Sequence, residues 1–297
     1  MNVVVAGYDK MLAALISGAK LRNHNIIGVF RIDRVKYSKF TLFFKDIFTP
    51  SVDYSFIKSH SLHDIKAQSV NSKEFINKIK RLNPDIILVG SWSEKFLEPV
   101  LSLPKYGIVN CHPSLLPAHR GANPYFWAIY SGDKKTGVTF HKMDENFDSG
   151  DILMQASFDI DPNTTGGALK NKAAKVAELM VGELLDDLEN NRIIPTPQDK
   201  SKASYDKYPY DGIDTVDFTE TAQKIYDKIR GLKPWSYCSC VLKTSLGERV
   251  YRIKSAKILA ETCNMDNFNP GDIIESSLDK NTFTLKCLDL AVEIRVF

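Results

Sequence analysis

The chain has 297 residues, of which 43% are hydrophobic, 25% charged and 10% aromatic, as in an ordinary folded protein. This length accommodates one large domain and a smaller one. The net charge of +3 is too small to indicate nucleic-acid binding unless the charges are unevenly distributed.

The chain contains five cysteines, an odd number with no CxxC spacing. They are Cys111, Cys238, Cys240, Cys263 and Cys287. This pattern predicts free thiols in a reducing compartment and argues against a disulfide framework. The first residues lack the basic and long apolar regions of a secretory signal, and no run approaches the roughly 18 apolar residues of a membrane span. We therefore expect a cytoplasmic protein without a membrane partner.

The first predicted elements alternate between strand and helix. Residues 2–7 (NVVVAG) predict a strand, residues 11–21 a helix and residues 26–30 a second strand. A further helix is predicted over 74–82, before a buried strand over 85–92 (DIILVGSW). This alternation predicts an α/β domain with a Rossmann-like, mostly parallel sheet.

The middle of the chain continues this pattern with one open segment. Strands are predicted over 107–112 and 136–143, and a long amphipathic helix over 166–192. Residues 31–73 combine aromatic and basic side chains, and the sequence leaves open whether they form an extended surface loop or a helical insertion. Residues 195–212 are polar and contain prolines, which is typical of a linker.

The last part of the chain has the pattern of a small, mostly β domain. A short helix over 221–232 precedes Pro234, and the remaining residues alternate in strand fashion between turn signals. We therefore predict a catalytic domain over 1–194, a linker over 195–212 and a β-rich, OB-like domain over 213–297.

Polar side chains that can carry chemistry follow two of the predicted strands. Asn110 and His112 end one strand, and strand alternation places them on the same face. A loop stiffened by Pro113 and Pro117 follows, and Asp148 lies in a later loop. Ligands of open α/β sheets bind at the carboxyl ends of the strands, so we expect these residues to line a ligand crevice.

Other chemistries fit the sequence less well. A lone histidine after a strand is more often structural, but Asn110 and Asp148 favour a functional His112. Gly7 lacks the GxGxxG context of a dinucleotide site, and Ser114 lacks the GxSxG elbow of a serine hydrolase. No metal is predicted, because one set of possible ligands matches no known spacing. That set is Cys111, His112, His119 and His141.

The segments NCHPSLLPAHRGANP (110–124) and TGVTFHKMDENFDSGDIL (136–153) together resemble the signature of the folate-dependent formyltransferase family. NPDIILVGSW (83–92) is similar to the strand and turn that line the pterin pocket in that family. The resemblance covers roughly residues 1–190. It implies transfer of a formyl group from 10-formyltetrahydrofolate to an amine, without a metal.

The resemblance also implies roles for individual residues. Asn110 and His112 can donate hydrogen bonds to the oxyanion of a tetrahedral intermediate, and Asp148 can orient His112 or a water that relays the amine proton. Folate-binding roles are implied for Leu88, Gly90, Ser91, Trp92, Ser114, Leu115, Leu116, Pro117 and Asp144. Asp144 also fits a plain turn former. Arg120 and Gly121 are candidates for substrate contact, with a surface charge as the alternative for Arg120.

The accepting amine stays open between several classes. Residues 221–235 (TAQKIYDKIRGLKPW) resemble the start of the C-terminal domain of methionyl-tRNA formyltransferases. Basic islands at 31–45 and 230–257 fit tRNA phosphate contacts, although charge runs are usually solvated faces. HPSLLPAHRGANPYFW (112–127) resembles sugar N-formyltransferases as well. We expect methionyl-tRNA, and hence a role in translation initiation, with a nucleotide-linked amino sugar as the alternative. A small amine, deformylation by water and a folate-binding protein without catalysis are further alternatives.

Overall fold

The computed structural model describes residues 1–209, 212–244, 247–259, 267–277 and 281–297. Their contacts divide the chain into two units. The first unit comprises residues 1–120, 137–157 and 171–205, and the second comprises residues 121–136, 158–170 and 206–297. Within the described ranges, no helix is both long and apolar enough to cross a membrane.

Strands and helices are interspersed along the chain. In order they are β1 (Asn2–Gly7), α1 (Asp9–Leu21), β2 (Asn25–Arg31), α2 (Asp33–Lys36), α3 (Lys39–Phe48), α4 (Val52–Ser59), α5 (Lys73–Leu82), β3 (Ile86–Gly90), β4 (Ile108–His112), β5 (Arg120–Gly121), α6 (Pro124–Tyr130), β6 (Lys135–Lys142), β7 (Ile152–Asp159), α7 (Gly166–Glu189), β8 (Tyr205–Asp206), α8 (Ala222–Leu232), β9 (Ser239–Thr244), β10 (Gly247–Leu259), β11 (Ile273–Ser277), β12 (Thr282–Lys286) and β13 (Ala291–Val296).

The main sheet has six strands in the order β2-β1-β3-β4-β6-β7. β2, β1, β3 and β4 pair in parallel, and β6 pairs antiparallel with β4. Val3, Val4 and Val5 are 0% exposed, as expected for a parallel strand covered on both faces. The prediction of a mostly parallel, Rossmann-like sheet is confirmed. The sequence did not predict β7 or α6.

The open segment after β2 is a helical insertion, the second of the two predicted alternatives. Ser38 Oγ accepts the backbone N–H of Thr41 at 3.1 Å, and Ser51 Oγ accepts that of Tyr54 at 3.2 Å. These serines therefore cap the first turns of α3 and α4. The insertion is anchored at its start by Arg31, which is fully buried among three aspartates.

The second unit contains an antiparallel sheet in the order β11-β12-β13-β10-β9. Helices α6 and α8 pack with this sheet around a core that includes Phe126, Ile225, Leu285 and Ile294. The prediction of a small, mostly β C-terminal domain is confirmed. Its OB-like character stays a prediction.

Residues 195–205, which the sequence placed in a linker, are counted with the first unit. Thr196 forms a bridge with Ile152, and the Gln198 side chain bonds to three groups of neighbouring loops. The polar composition of this segment gives no sign of these contacts, because the partner residues lie about 40 or more residues away along the chain. The predicted domain boundaries at 194 and 213 stay predictions. Each of the two units is assembled from several separate segments of the chain.

The described cysteines are free and buried: Cys111, Cys238, Cys240 and Cys287. Burial raises the pKa of each of these thiols above its ordinary value. They are therefore protonated, weakly reactive core residues. Cys263 lies outside the described residues.

Candidate active site

The predicted site residues lie where β4 ends. Asn110 and His112 project from one face of this strand, while Cys111 is buried on the other with its Sγ 3.5 Å from Met11 Sδ. β3 flanks β4 on one side and β6 on the other, and Asn110 pairs directly with His141 of β6. The sheet itself therefore brings a second histidine next to the predicted pair.

Three polar side chains converge on a single carboxylate oxygen. Asp148 Oδ1 lies 3.1 Å from Asn110 Nδ2, 3.4 Å from His112 Nδ1 and 3.4 Å from His141 Nε2. The residues His112 and His141 are 4% and 1% exposed, and the Asp148 side chain is 10% exposed. The three residues predicted to be catalytic thus lie together, in a setting that excludes most water.

His112 is held in one tautomer. Its Nε2 lies 2.7 Å from the backbone oxygen of His119, and a carbonyl oxygen only accepts hydrogen bonds, so Nε2 carries a proton. In the neutral ring, Nδ1 then presents a lone pair toward Asp148 Oδ1. Burial lowers the pKa of His112, although the Asp148 carboxylate opposes that effect. The ring is therefore neutral near pH 7, and the His112–Asp148 pair can accept one proton between Nδ1 and Oδ1.

His141 is a site residue that the sequence did not assign. It was considered only as one of several possible metal ligands, and no cluster that could hold a metal occurs among the described residues. Its proximity to Asn110 follows from the antiparallel pairing of β4 and β6. That pairing depends on strand order, so the only available signal was a histidine near the end of a predicted strand.

The SLLP loop after β4 is fixed by internal hydrogen bonds. Ser114 Oγ donates to the Ala118 carbonyl at 2.6 Å, and Thr139 Oγ1 donates to the Ser114 carbonyl at 2.7 Å. Ser114 is 0% and Leu116 3% exposed. In this conformation Ser114 and Leu116 shape the loop from within, while the neighbouring Leu115 and Pro117 are partly exposed.

The end of β3 provides a second wall of the predicted crevice. Leu88 is 0% exposed and Gly90 is buried, so only the residues that follow them are open to a ligand. Ser91 has a positive φ of 60°, and the Trp92 ring packs 5.4 Å from that of Phe30. Trp92 Nε1 is buried and has no hydrogen-bond acceptor among the described residues.

The loop that carries Asp148 is shaped by its own side chains. Asp144 accepts hydrogen bonds from the backbone N–H of Asn146 and from Ser149 Oγ, both at 2.8 Å, which is the turn-forming alternative for this residue. A Cβ on Gly150 would lie 2.0 Å from the Lys142 carbonyl oxygen. Glycine at this position therefore lets the loop approach β6 closely.

Gln198 ties this loop to Arg120. Its Nε2 donates to the carbonyls of Asp148 and Gly150 at 2.9 and 2.7 Å, and its Oε1 accepts from Arg120 Nε and Nη2 at 3.1 and 2.7 Å. The sequence gave no functional role to Gln198, because it lies in the segment interpreted as a linker. It braces the backbone at Asp148.

Arg120 lines an open cleft of about 470 Å³. The other lining residues are Lys95, Asn146, Phe147, Ser149, Ala203, Ser204 and Tyr205. Arg120 and Lys95 give this cleft a positive character suited to an anionic group. Gly121, the second predicted substrate residue, has a positive φ of 97° and belongs to the second unit.

The sequence matches known families along most of its length. Residues 1–184 match the family described as formyl transferase, and residues 213–297 match the family described as formyl transferase, C-terminal domain. The methionyl-tRNA formyltransferase of Lachnospira eligens is 30% identical over 243 residues, which cover 81% of this chain and 75% of that protein. The methionyl-tRNA formyltransferase of Thermotoga neapolitana is 35% identical over 232 residues, which cover 77% and 72%.

Solved structures with a similar fold include an N-formyltransferase and a variant of HypX. The N-formyltransferase from Helicobacter canadensis, in complex with folinic acid and dTDP-3-aminofucose, has a TM-score of 0.71 and 16% identity, with 99% of each chain covered. A variant of HypX from Aquifex aeolicus has a TM-score of 0.67 and 18% identity, with 99% of this chain but only 45% of HypX covered. At these identities the likeness concerns the fold.

Proposed function

Because this chain belongs to the formyl transferase family, we propose that it transfers a formyl group from 10-formyltetrahydrofolate to the amino group of methionyl-tRNA. The observation that carries the proposal is the convergence of Asn110, His112 and His141 on Asp148 Oδ1. A buried carboxylate beside a neutral imidazole and an amide donor provides both a proton acceptor and a donor for an oxyanion. Four buried free thiols support a cytoplasmic location.

The residues at the end of β3 fit a folate donor. The buried Trp92 Nε1 has no acceptor among the described residues, and a heteroaromatic ring with polar edges would supply one. We propose that Ser91 and Trp92, together with the exposed parts of Leu115 and Pro117, hold the donor. When bound, the donor supplies an activated formyl carbon.

Asn110 is proposed to stabilise the formyl oxygen. As the amine attacks, a new C–N bond forms and negative charge develops on that oxygen. The Asn110 residue is partly exposed, and one of its two side-chain N–H groups is assigned as the donor that meets this charge. One donor of this kind typically contributes about a hundredfold or more to the rate.

His112 and Asp148 are proposed to move the amine proton. The attacking amine must lose one proton, and the departing nitrogen of the folate must gain one when its bond to the formyl carbon breaks. The lone pair on His112 Nδ1, facing Asp148 Oδ1 at 3.4 Å, can take up the first proton and return it in the second step. The His112–Asp148 pair therefore ends the reaction with the same number of protons, and the same net charge, as it had at the start.

The proposed tRNA acceptor is supported by the relatives and by one basic surface. The relatives named methionyl-tRNA formyltransferase share 28–36% identity with this chain. In the second unit, five basic side chains on β9 and β10 are exposed: Lys243, Arg249, Arg252, Lys254 and Lys257. Such a group can neutralise phosphates of a nucleic acid.

The predicted basic islands are smaller than the sequence suggested. Arg31 is 0% exposed and binds three aspartates. Arg230 is 7% exposed and donates from Nε to Asp227 Oδ1 at 2.6 Å. These two arginines are committed to internal ion pairs, so the proposed phosphate contacts exclude them.

A nucleotide-linked amino sugar is the second candidate acceptor. The Helicobacter canadensis N-formyltransferase, bound to dTDP-3-aminofucose, matches this chain over 99% of both lengths. The cleft that contains Arg120 and Lys95 could accommodate the phosphates of such a nucleotide. If the acceptor is such a sugar, the exposed basic residues of β9 and β10 have no part in binding it.

The decisive experiment incubates the purified protein with 10-formyltetrahydrofolate and one acceptor at a time, and follows tetrahydrofolate release. Release that requires methionyl-tRNA supports the proposal, and release that requires a nucleotide amino sugar supports the alternative. Release without any acceptor would indicate hydrolysis. Unacylated tRNA is the matched control, because it retains the phosphates but lacks the amine.

A further inference from the structure

We infer that His141 is a positioning residue that determines which end of the Asn110 side-chain amide faces the reacting formyl group. The inference rests on the proposed function, because the orientation matters for turnover only if Asn110 holds the formyl oxygen. His141 is 1% exposed and lies directly opposite Asn110 in the β4–β6 pair. Its Nε2 lies 3.1 Å from Asn110 Nδ2 and 3.4 Å from Asp148 Oδ1.

The hydrogen bonds of His141 fix its ring. His141 Nδ1 lies 2.8 Å from the carbonyl oxygen of Lys142, which can only accept, so Nδ1 carries the proton. In the neutral ring, Nε2 therefore presents a lone pair. That lone pair lies 3.1 Å from Asn110 Nδ2, so His141 accepts a hydrogen bond from the amide.

The neighbouring backbone holds this acceptor in place. Lys142 N donates to the Asp151 carbonyl at 2.9 Å, and the Lys142 carbonyl oxygen leaves no room for a Cβ on Gly150. The carbonyl that fixes the His141 tautomer is thus itself fixed between β6 and the Asp148 loop. A rigid partner of this kind is what keeps a catalytic side chain oriented.

Two acceptors therefore select one orientation of the Asn110 amide. Nδ2 faces the His141 Nε2 lone pair and the Asp148 carboxylate, each at 3.1 Å. With the amide reversed, Oδ1 of Asn110 would face two electron-rich atoms at the same distances. That arrangement would lose two hydrogen bonds and place like partial charges together in a buried site.

The selected orientation leaves one donor for the substrate. His141 Nε2 and Asp148 Oδ1 lie only 3.4 Å apart, so they subtend a smaller angle at Nδ2 than the two N–H bonds of an amide do. One N–H can therefore serve both acceptors, which leaves the second N–H unbonded by them. The second N–H is the one that would meet the developing oxyanion.

The matched pair of variants is His141→Leu and His141→Gln. Leucine retains bulk but removes the acceptor, whereas the glutamine oxygen can accept from Asn110 near the position of Nε2. We expect His141→Leu to lower kcat by about 10- to 100-fold with KM for both substrates within about threefold. His141→Gln is expected to recover most of the loss. His63→Leu, at an exposed histidine, is the control for an imidazole lost outside the site.

A double-mutant cycle separates positioning from packing. If His141 acts through Asn110, His141→Leu should change kcat by less than about twofold in the Asn110→Ala background. A full additional loss in that background would overturn the inference. Failure of His141→Gln to recover activity, with an unchanged melting temperature, would overturn it as well.

A readout independent of turnover distinguishes this inference from the proposed function. The two side-chain amide protons of Asn110, assigned by their loss in Asn110→Ala, report its hydrogen bonds in an NMR spectrum of the labelled protein. They should shift in His141→Leu and return toward the wild type in His141→Gln. Unchanged signals would contradict the inference even if the protein turns over substrate. If instead the wild-type protein is inactive with every acceptor, only the proposed function is contradicted.

Discussion

Two buried polar clusters lie at the carboxyl ends of strands in the same sheet, and they differ in how their hydrogen bonds are matched. At the end of β2, the guanidinium of Arg31 faces Asp33, Asp46 and Asp64, with Nη1–Asp46 Oδ1 at 2.8 Å and Nη1–Asp33 Oδ2 at 3.2 Å. At the end of β4, Asp148 faces two imidazoles and an amide at 3.1–3.4 Å. In the first cluster each of these contacts joins a donor to an acceptor, whereas in the neutral state of the second no proton lies between His112 Nδ1 and Asp148 Oδ1.

This difference separates a structural cluster from the cluster proposed to carry out the reaction. Burial lowers the pKa of Arg31, but the bond to Asp46 and the charges of Asp64 and Asp33 outweigh it and raise the pKa. The arginine therefore stays charged. In the other cluster, His112 Nδ1 and Asp148 Oδ1 present lone pairs to each other, so a proton arriving from a substrate has a place to bind.

The largest expected effect comes from Asp148→Asn, which removes the negative charge of the cluster proposed to react. We expect kcat to fall by about 10²- to 10⁴-fold, while folate binding stays largely intact. The measurement is tetrahydrofolate release under saturating substrates, with folate affinity determined by calorimetry. Wild-type turnover in this variant would show that Asp148 has no part in the chemistry.

Arg31→Met tests the structural cluster. It leaves three carboxylates, each only 12–13% exposed, without their cation. Breaking a buried ion pair from one side costs about 3–5 kcal/mol, so we expect a large fall in the free energy of unfolding, measured with urea. Below its melting temperature the variant should retain wild-type kcat. Lost turnover in the folded variant would contradict the division into two kinds of cluster.

The pH dependence of turnover follows from the state of His112. Burial lowers the pKa of His112 from its ordinary value of 6.5, and the protonated ring cannot accept the amine proton. We expect kcat/KM to be constant around pH 7 and to fall as the pH drops through a value below 6.5. Two acceptors whose amines differ in pKa serve as the control. If the fall in kcat/KM reflects protonation of His112, its midpoint pH should be the same with both acceptors.

The smallest expected effect concerns Asp53, which lies in α4 next to the structural cluster. Burial raises the pKa of Asp53 to about 6, although the hydrogen bond from the Asp9 N–H opposes the shift. The folded state thus binds a proton between about pH 4 and pH 6 that the unfolded state releases, and stability falls as the pH rises through that range.

Asp53→Asn should remove this dependence while retaining an oxygen that accepts from Asp9. We expect it to stabilise the protein by about 1–3 kcal/mol at pH 8 and to have little effect at pH 4.5, as measured by urea unfolding. Equal effects at the two pH values would show that Asp53 does not titrate in this range.

The local parts of the site could be predicted from the sequence, and the long-range parts could not. Asn110 and His112 are two residues apart on one strand, so alternation alone puts them on one face. His141 and Gln198 reach the site through strand order and through a segment that looks like a linker. Neither relation leaves a periodic signal in a single sequence.

The same distinction between local and long-range relations explains which parts of the fold, and which charged residues, could be interpreted correctly from the sequence. The buried strands were predictable because their apolar runs are continuous. The insertion after β2 was not, because α3 exposes Phe40 and Phe48, at 74% and 73%, so its apolar residues do not mark a core-facing side. Arg31 belongs to a predicted basic island, and its burial was not predictable because two of its partners, Asp46 and Asp64, lie 15 and 33 residues away.

The central claim is that the cluster around Asp148 transfers a formyl group to an amine. The most direct test follows labelled carbon from the formyl group of 10-formyltetrahydrofolate in the presence of methionyl-tRNA, with Asp148→Asn as the control. We predict label in N-formylmethionyl-tRNA for the wild type and almost none for the variant. Label that appears mainly as formate, or equal transfer by the two proteins, would contradict the claim.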